Sequence, residues 1–92
     1  MITAAQLRAA RALLGIDQRQ LAQSCGLSLP TIQRMEASHG VVRGNVESLM
    51  KLVDALNNHG IELIGEDAVS SGGGRGVRLK QSQSGASPGR AR

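Results

Sequence analysis

A chain of 92 residues, 40% of them hydrophobic, has material for one small core and not for several. It contains no Phe, Trp or Tyr, which disfavours modules that stack single-stranded bases on aromatic platforms and leaves a core of Leu, Ile, Val, Met and Ala suited to short packed helices. The net charge of +4 is unevenly placed: residues 1–43 set five arginines against Asp17 and Glu36, residues 44–70 are acidic, and residues 71–92 carry five cations and no acid, so the first part and the tail are the parts suited to anionic polymers.

The predicted elements follow in chain order. Thr3 with Gln6 three residues later is a capping-box pair that opens a first helix, and Gly15 closes it. Leu7, Ala10 and Leu14 recur along its inner face. Asp17 with Gln20 repeats the device for a second helix, which Gly26 ends and on which Leu21 and Ala22 face inward. Ser28 caps a third helix, and Pro30 stands in its first turn, where a missing N–H is harmless. Ile32 and Met35 form its buried side, and it runs out near Ala37 or Ser38. A loop over residues 38–44 leads to Asn45, the cap of a fourth helix that Gly60 ends. Val46, Leu49, Met50, Val53 and Leu56 make one apolar stripe on it, and the spacing assigns that stripe mostly to the core, with some of it open to sharing with a partner subunit. The period then changes to two. Residues 61–64 and 77–80 read as the strands of a hairpin with Ile61, Leu63, Val77 and Leu79 on its apolar face. The join over residues 65–76 is long for a hairpin, which leaves open the register and whether the strands pair within or between chains. Residues 81–92 hold almost nothing to bury and are expected to be disordered.

The connection between the second and third helices carries the functional reading. Gly26 supplies a backbone position that a β-carbon disfavours, Leu27 plugs the angle between the helices, and Ser28 restarts a helix at once. Ala22 is small where the two helices approach. A helix, a tight glycine turn and a second helix is the arrangement that places the second helix in the major groove of double-stranded DNA.

The run Gly15-Ile16-Asp17-Gln18-x-x-Leu21-Ala22-x-x-x-Gly26-Leu27-Ser28-x-x-Thr31-Ile32-x-x-Met35-Glu36 resembles the lambda-repressor-like, Xre/Cro family of helix-turn-helix domains, and the likeness extends over residues 3 to 58. It implies a mainly α fold, a four-helix lambda-repressor-like DNA-binding domain over residues 1–60, followed by a short C-terminal β-hairpin over residues 61–80 and a basic tail over residues 81–92. It also implies a homodimer on near-palindromic operators. The hairpin is similar to that of a subset of short bacterial regulators in which it serves dimerisation.

The resemblance implies roles for particular residues. Gln18 matches a glutamine that clamps a backbone phosphate from a helix N-terminus. Ser28, Arg43 and Asn45 match further phosphate-contacting positions. Leu29, Pro30, Thr31, Gln33 and Arg34 occupy the exposed, base-reading positions of the third helix, where Gln with adenine and Arg with guanine are favoured pairings. Arg11 and Glu36 match an internal salt bridge. Two departures stand out. Leu29 and Pro30 replace polar residues, which shifts reading there toward thymine methyls, and Asp17 replaces Ser or Thr, adding a negative charge that weakens phosphate binding slightly.

Other features exclude other functions. Cys25 lacks a partner for an internal disulfide and reads as a small apolar residue. His39 and His59 stand apart without ligand neighbours, so no metal and no cofactor is expected. Gly72-Gly73-Gly74 lacks the Gly-Lys-Ser/Thr ending of a phosphate loop and reads as a flexible connection. No nucleophile–base pair or paired carboxylates suggest an enzyme. With no membrane-length apolar run and no signal-peptide start, a cytoplasmic, nucleoid-associated protein is expected, with no membrane partner. The expected function is a sequence-specific transcriptional regulator, a repressor acting by promoter occupancy because the chain has no room for an effector domain. Two alternatives stay open: an antitoxin that binds a toxin protein as well as DNA, and an anti-activator that keeps the fold but binds only another regulator.

Overall fold

The computed structural model describes residues 2–65 and 72–80. The expected disorder of residues 81–92 and half of the long hairpin join lie outside the described residues. The elements are α1 (Ala4–Leu14), α2 (Gln18–Cys25), α3 (Leu29–Glu36), α4 (Val46–Asn58), β1 (Ile61–Ile64) and β2 (Gly76–Leu79). Each helix begins where the sequence offers a side-chain acceptor for an orphan N–H. Thr3 accepts from the Gln6 backbone, Asp17 from Gln20, Ser28 from Thr31 and Asn45 from Ser48. At Thr3 and Asp17 the glutamine side chain also reaches back to the cap backbone, completing both capping boxes.

Leu7, Leu21, Ile32, Met35, Leu52, Leu56 and Ile61 are the largest fully buried side chains, so every helix and the hairpin contribute to one core. Leu14, Ile16, Leu27, Leu49, Leu63 and Val77 pack around it. β1 and β2 pair antiparallel within the chain, Ile61 opposite Leu79 and Leu63 opposite Val77, which settles the register that the long join left open. Ile61 is buried, Leu63 and Val77 are half-buried, and Leu79 at the margin is exposed. Gln6 ties the loop end of the hairpin to α1: its Nε2 donates to the carbonyls of Ile64 at 3.0 Å and Gly76 at 2.8 Å. Those bonds satisfy an amide that is only 5% exposed.

The fourth helix departs from its expected orientation. Val46 is 72% and Met50 58% exposed, whereas Leu52, Ala55 and Leu56 are buried and Leu49 and Val53 are half-buried. The stripe expected in the core therefore turns partly to solvent. Apolar residues on α4 span more than half of its circumference, and the helix seats on the Leu52–Leu56 side of that arc.

The chain start and the loop after α3 also differ from a plain loop. Ala4 N donates to Gly40 O and Val42 N to Ile2 O, both at 2.9 Å, around an antiparallel bridge between Thr3 and Val41. Ile2 and Val42 are each 2% exposed, so the bridge is sealed by apolar burial.

Cys25 lies in the core, and burial pushes its thiol up from 9.0 to about 11. The folded chain keeps this proton over a range in which the unfolded chain releases it. Its contribution to stability is therefore full below pH 9.0 and is lost as the pH rises toward 11. In urea denaturation, the stability of the wild type relative to Cys25→Ala is expected to fall by about 2 kcal/mol from neutral pH to the upper end of that range. A constant difference across the range contradicts a protected thiol.

Candidate nucleic-acid interface

The turn between α2 and α3 is closed by local hydrogen bonding. Gly26 has φ +71°, and a β-carbon there would meet no neighbour, so the demand for glycine is one of backbone conformation and not of space. Gly26 N donates to Gln23 O and Leu27 N to Ala22 O at 3.0 Å, the paired bonds of a Schellman ending. Ala22 is buried and Leu27 packs against the core, which leaves Ser28 free to start α3 two residues after the glycine.

Along α3 the buried residues are Ile32, Met35 and Glu36. At 100° per residue they define one side, and the opposite arc is centred on Pro30 and Arg34 with Gln33 beside them. All three are exposed, while Leu29 and Thr31 are half-buried at the margins. Ser28 Oγ accepts from Thr31 N at 3.2 Å and lies 2.8 Å from Thr31 Oγ1, so both hydroxyls are engaged at the start of the helix.

The far end of α3 is held by a polar cluster. Arg11 Nε donates to Glu36 Oε2 at 2.8 Å and its terminal nitrogen to Oε1 at 3.1 Å, a two-pronged ion pair between α1 and α3. This hydrogen bond and the adjacent charge raise the Arg11 pKa, so the guanidinium stays charged, and it also donates to Ile16 O. Gln18 Nε2 donates to Glu36 Oε1 at 3.0 Å. Arg8 donates to the Glu36 carbonyl at 2.5 Å and so satisfies a C-terminal orphan of α3. Glu36 is 5% exposed, and an unpaired carboxylate at that depth would be costly; these donors make its burial tolerable.

The remaining candidate residues lie near the helix starts. Gln18 opens α2 and is half-buried; Asn45 is exposed, with its Oδ1 accepting from Ser48 N at 2.8 Å. Arg43 is exposed in the loop that the chain start pins at residues 40–42. A β-carbon on Gly44 would stand 3.2 Å from Met35 Cε, so this loop passes close against α3. The structure thus brings Arg11, Gln18 and Glu36 into one cluster and holds the Arg43 loop on α3, while Gln33 and Arg34 make no described side-chain bond. Sequence reasoning missed the Arg8 cap and the Gln18–Glu36 bond. The spacing of Arg8 and Arg11 on one helix face was a usable signal for the first; nothing local signals the second.

No described helix is long and apolar enough to cross a membrane, and no metal-holding group of side chains occurs among the described residues. No individually curated protein matches the chain significantly. A family model described as Helix-turn-helix matches residues 7–63, more than half of the sequence, and runs from α1 through β1. With its glycine turn, its outward-facing third helix and this match, the chain belongs to the lambda-repressor-like helix-turn-helix family of DNA-binding transcription regulators.

Proposed function

We propose that the protein is a homodimeric repressor that binds a near-palindromic operator in double-stranded DNA and acts by occupying it, without enzymatic chemistry or a cofactor. The observation that carries this reading is the outward arc of α3, on which Pro30, Gln33 and Arg34 are exposed while Glu36 and Ile32 hold the opposite side in place. Gln33 suits adenine and Arg34 guanine; Leu29, Pro30 and the Thr31 methyl suit thymine methyls. Gln18, Ser28, Arg43 and Asn45 serve the phosphate backbone, three of them at or beside a helix N-terminus. Two subunits would set two copies of α3 in successive major grooves about 34 Å apart. The place of action is the cytoplasm, at the nucleoid.

Selection of bound duplexes from a random-sequence pool, with sedimentation of the recovered complex, tests this. The expected motif is two-fold symmetric, with half-sites about one helical turn apart and two chains per duplex. A pool that shows no enrichment would sink the operator reading and point to a domain that binds protein alone. Arg43→Ala is expected to weaken all duplexes alike and to lower the slope of log affinity against log salt by about one. An unchanged slope would remove Arg43 from the phosphate contacts.

A further inference from the structure

We infer that Glu36 is a positioning residue for backbone binding: its carboxylate orients the Gln18 amide so that the second N–H of Nε2 is left for a DNA phosphate. The inference rests on the proposed phosphate contact of Gln18 and names what prepares that contact. A glutamine amide has one donating and one accepting end, and only the donating end is useful to a phosphate, which accepts alone. Glu36 Oε1 receives Nε2 at 3.0 Å. The flipped amide would set its carbonyl oxygen against a carboxylate oxygen, two acceptors face to face, so the orientation is decided by chemistry. Nε2 carries two hydrogens, and Glu36 takes one.

The carboxylate is itself held from several sides. It is 5% exposed, gripped at both oxygens by Arg11, while Arg8 holds the carbonyl of the same residue. Arg11 has a second effect. Its charge balances Glu36, so an acid beside the backbone-facing end of α2 does not repel the phosphate that Gln18 meets. Gln18 is half-buried, so part of the residue reaches the surface at the start of α2. An amide fixed before DNA arrives loses less rotamer freedom on binding than a free one.

The test uses the full chain and a labelled mixed-sequence DNA duplex of about two helical turns at low salt, since a phosphate contact does not depend on sequence. Gln18→Ala is expected to weaken binding about tenfold, the effect of one hydrogen bond to a charged group. Glu36→Met is expected to weaken binding several-fold in the Gln18 protein and to add no loss to Gln18→Ala. Because Glu36→Met leaves Arg11 without its partner, the comparison is repeated with Arg11→Met and Glu36→Met together, which removes both charges. An equal loss with and without Gln18→Ala overturns the inference and leaves Glu36 as a staple between helices. Gln18→Ala binding as tightly as wild type overturns the phosphate reading beneath it. In the free protein, the Gln18 side-chain amide protons should move toward solvent-exposed shifts when Glu36 is replaced; unmoved resonances also count against the inference.

Discussion

Replacing Arg34 by alanine is expected to raise the Kd for the preferred duplex by about 5- to 150-fold, corresponding to about 1–3 kcal/mol, and to relax selectivity at one base position. Arg34 lies near the centre of the exposed arc of α3, and its guanidinium makes no described hydrogen bond or ion pair with the rest of the protein. A planar fork of donors in that position matches the two acceptors that guanine presents in the major groove, and alanine reaches neither. The fold should not notice the change. The only described bond between Arg34 and another side chain is to its backbone carbonyl, from Ser38 Oγ, and a solvent-facing substitution of this kind usually shifts stability by less than about 0.5 kcal/mol. Duplex selection with the variant is the measurement. An unchanged motif with unchanged affinity would remove Arg34 from the reading surface and leave Gln33 and the apolar helix start to carry it.

Ile32, two positions earlier, should behave in the opposite way. It is fully buried at 0% exposure, and Ile32→Ala is expected to cost about 2–5 kcal/mol through lost apolar burial and the cavity left behind. Small domains hold only about 5–15 kcal/mol in all, so a loss of this size should lower the thermal midpoint by about 8 °C or more, on the scale of about 4–8 °C per kcal/mol. Below its new midpoint the variant should still select the same motif, because Gln33 and Arg34 remain on the outer arc. A far-UV circular dichroism melt followed by duplex selection at low temperature separates the two effects. A stability loss below about 1 kcal/mol would mean that α3 is not seated on the core through Ile32.

How much of this was legible in the sequence depends on the distance over which each feature is specified. All four helix starts could be read because a cap is a bond between residues three apart; Thr3, Asp17, Ser28 and Asn45 bond as expected. The glycine turn at Gly26 and the period-two strands are equally local. The Arg11–Glu36 bridge was legible only through family resemblance, since nothing local announces a pair separated by 25 positions. The Gln18–Glu36 bond and the Thr3–Val41 bridge were not legible at all, because each joins single residues that no periodicity marks. The long hairpin join hid the register of β1 and β2 for the same reason.

The sequence by itself determined where each helix begins, the turn that links α2 to α3, and the buried side of α3 at Ile32 and Met35. Those follow from short-range hydrogen bonds and the 3.6-residue period. The tertiary structure alone decided which part of the broad apolar arc on α4 is core, leaving Val46 and Met50 in solvent. It alone also made Glu36 the point where α1, α2 and α3 meet. Both outcomes depend on how helices sit against one another, and one-dimensional spacing does not contain that angle.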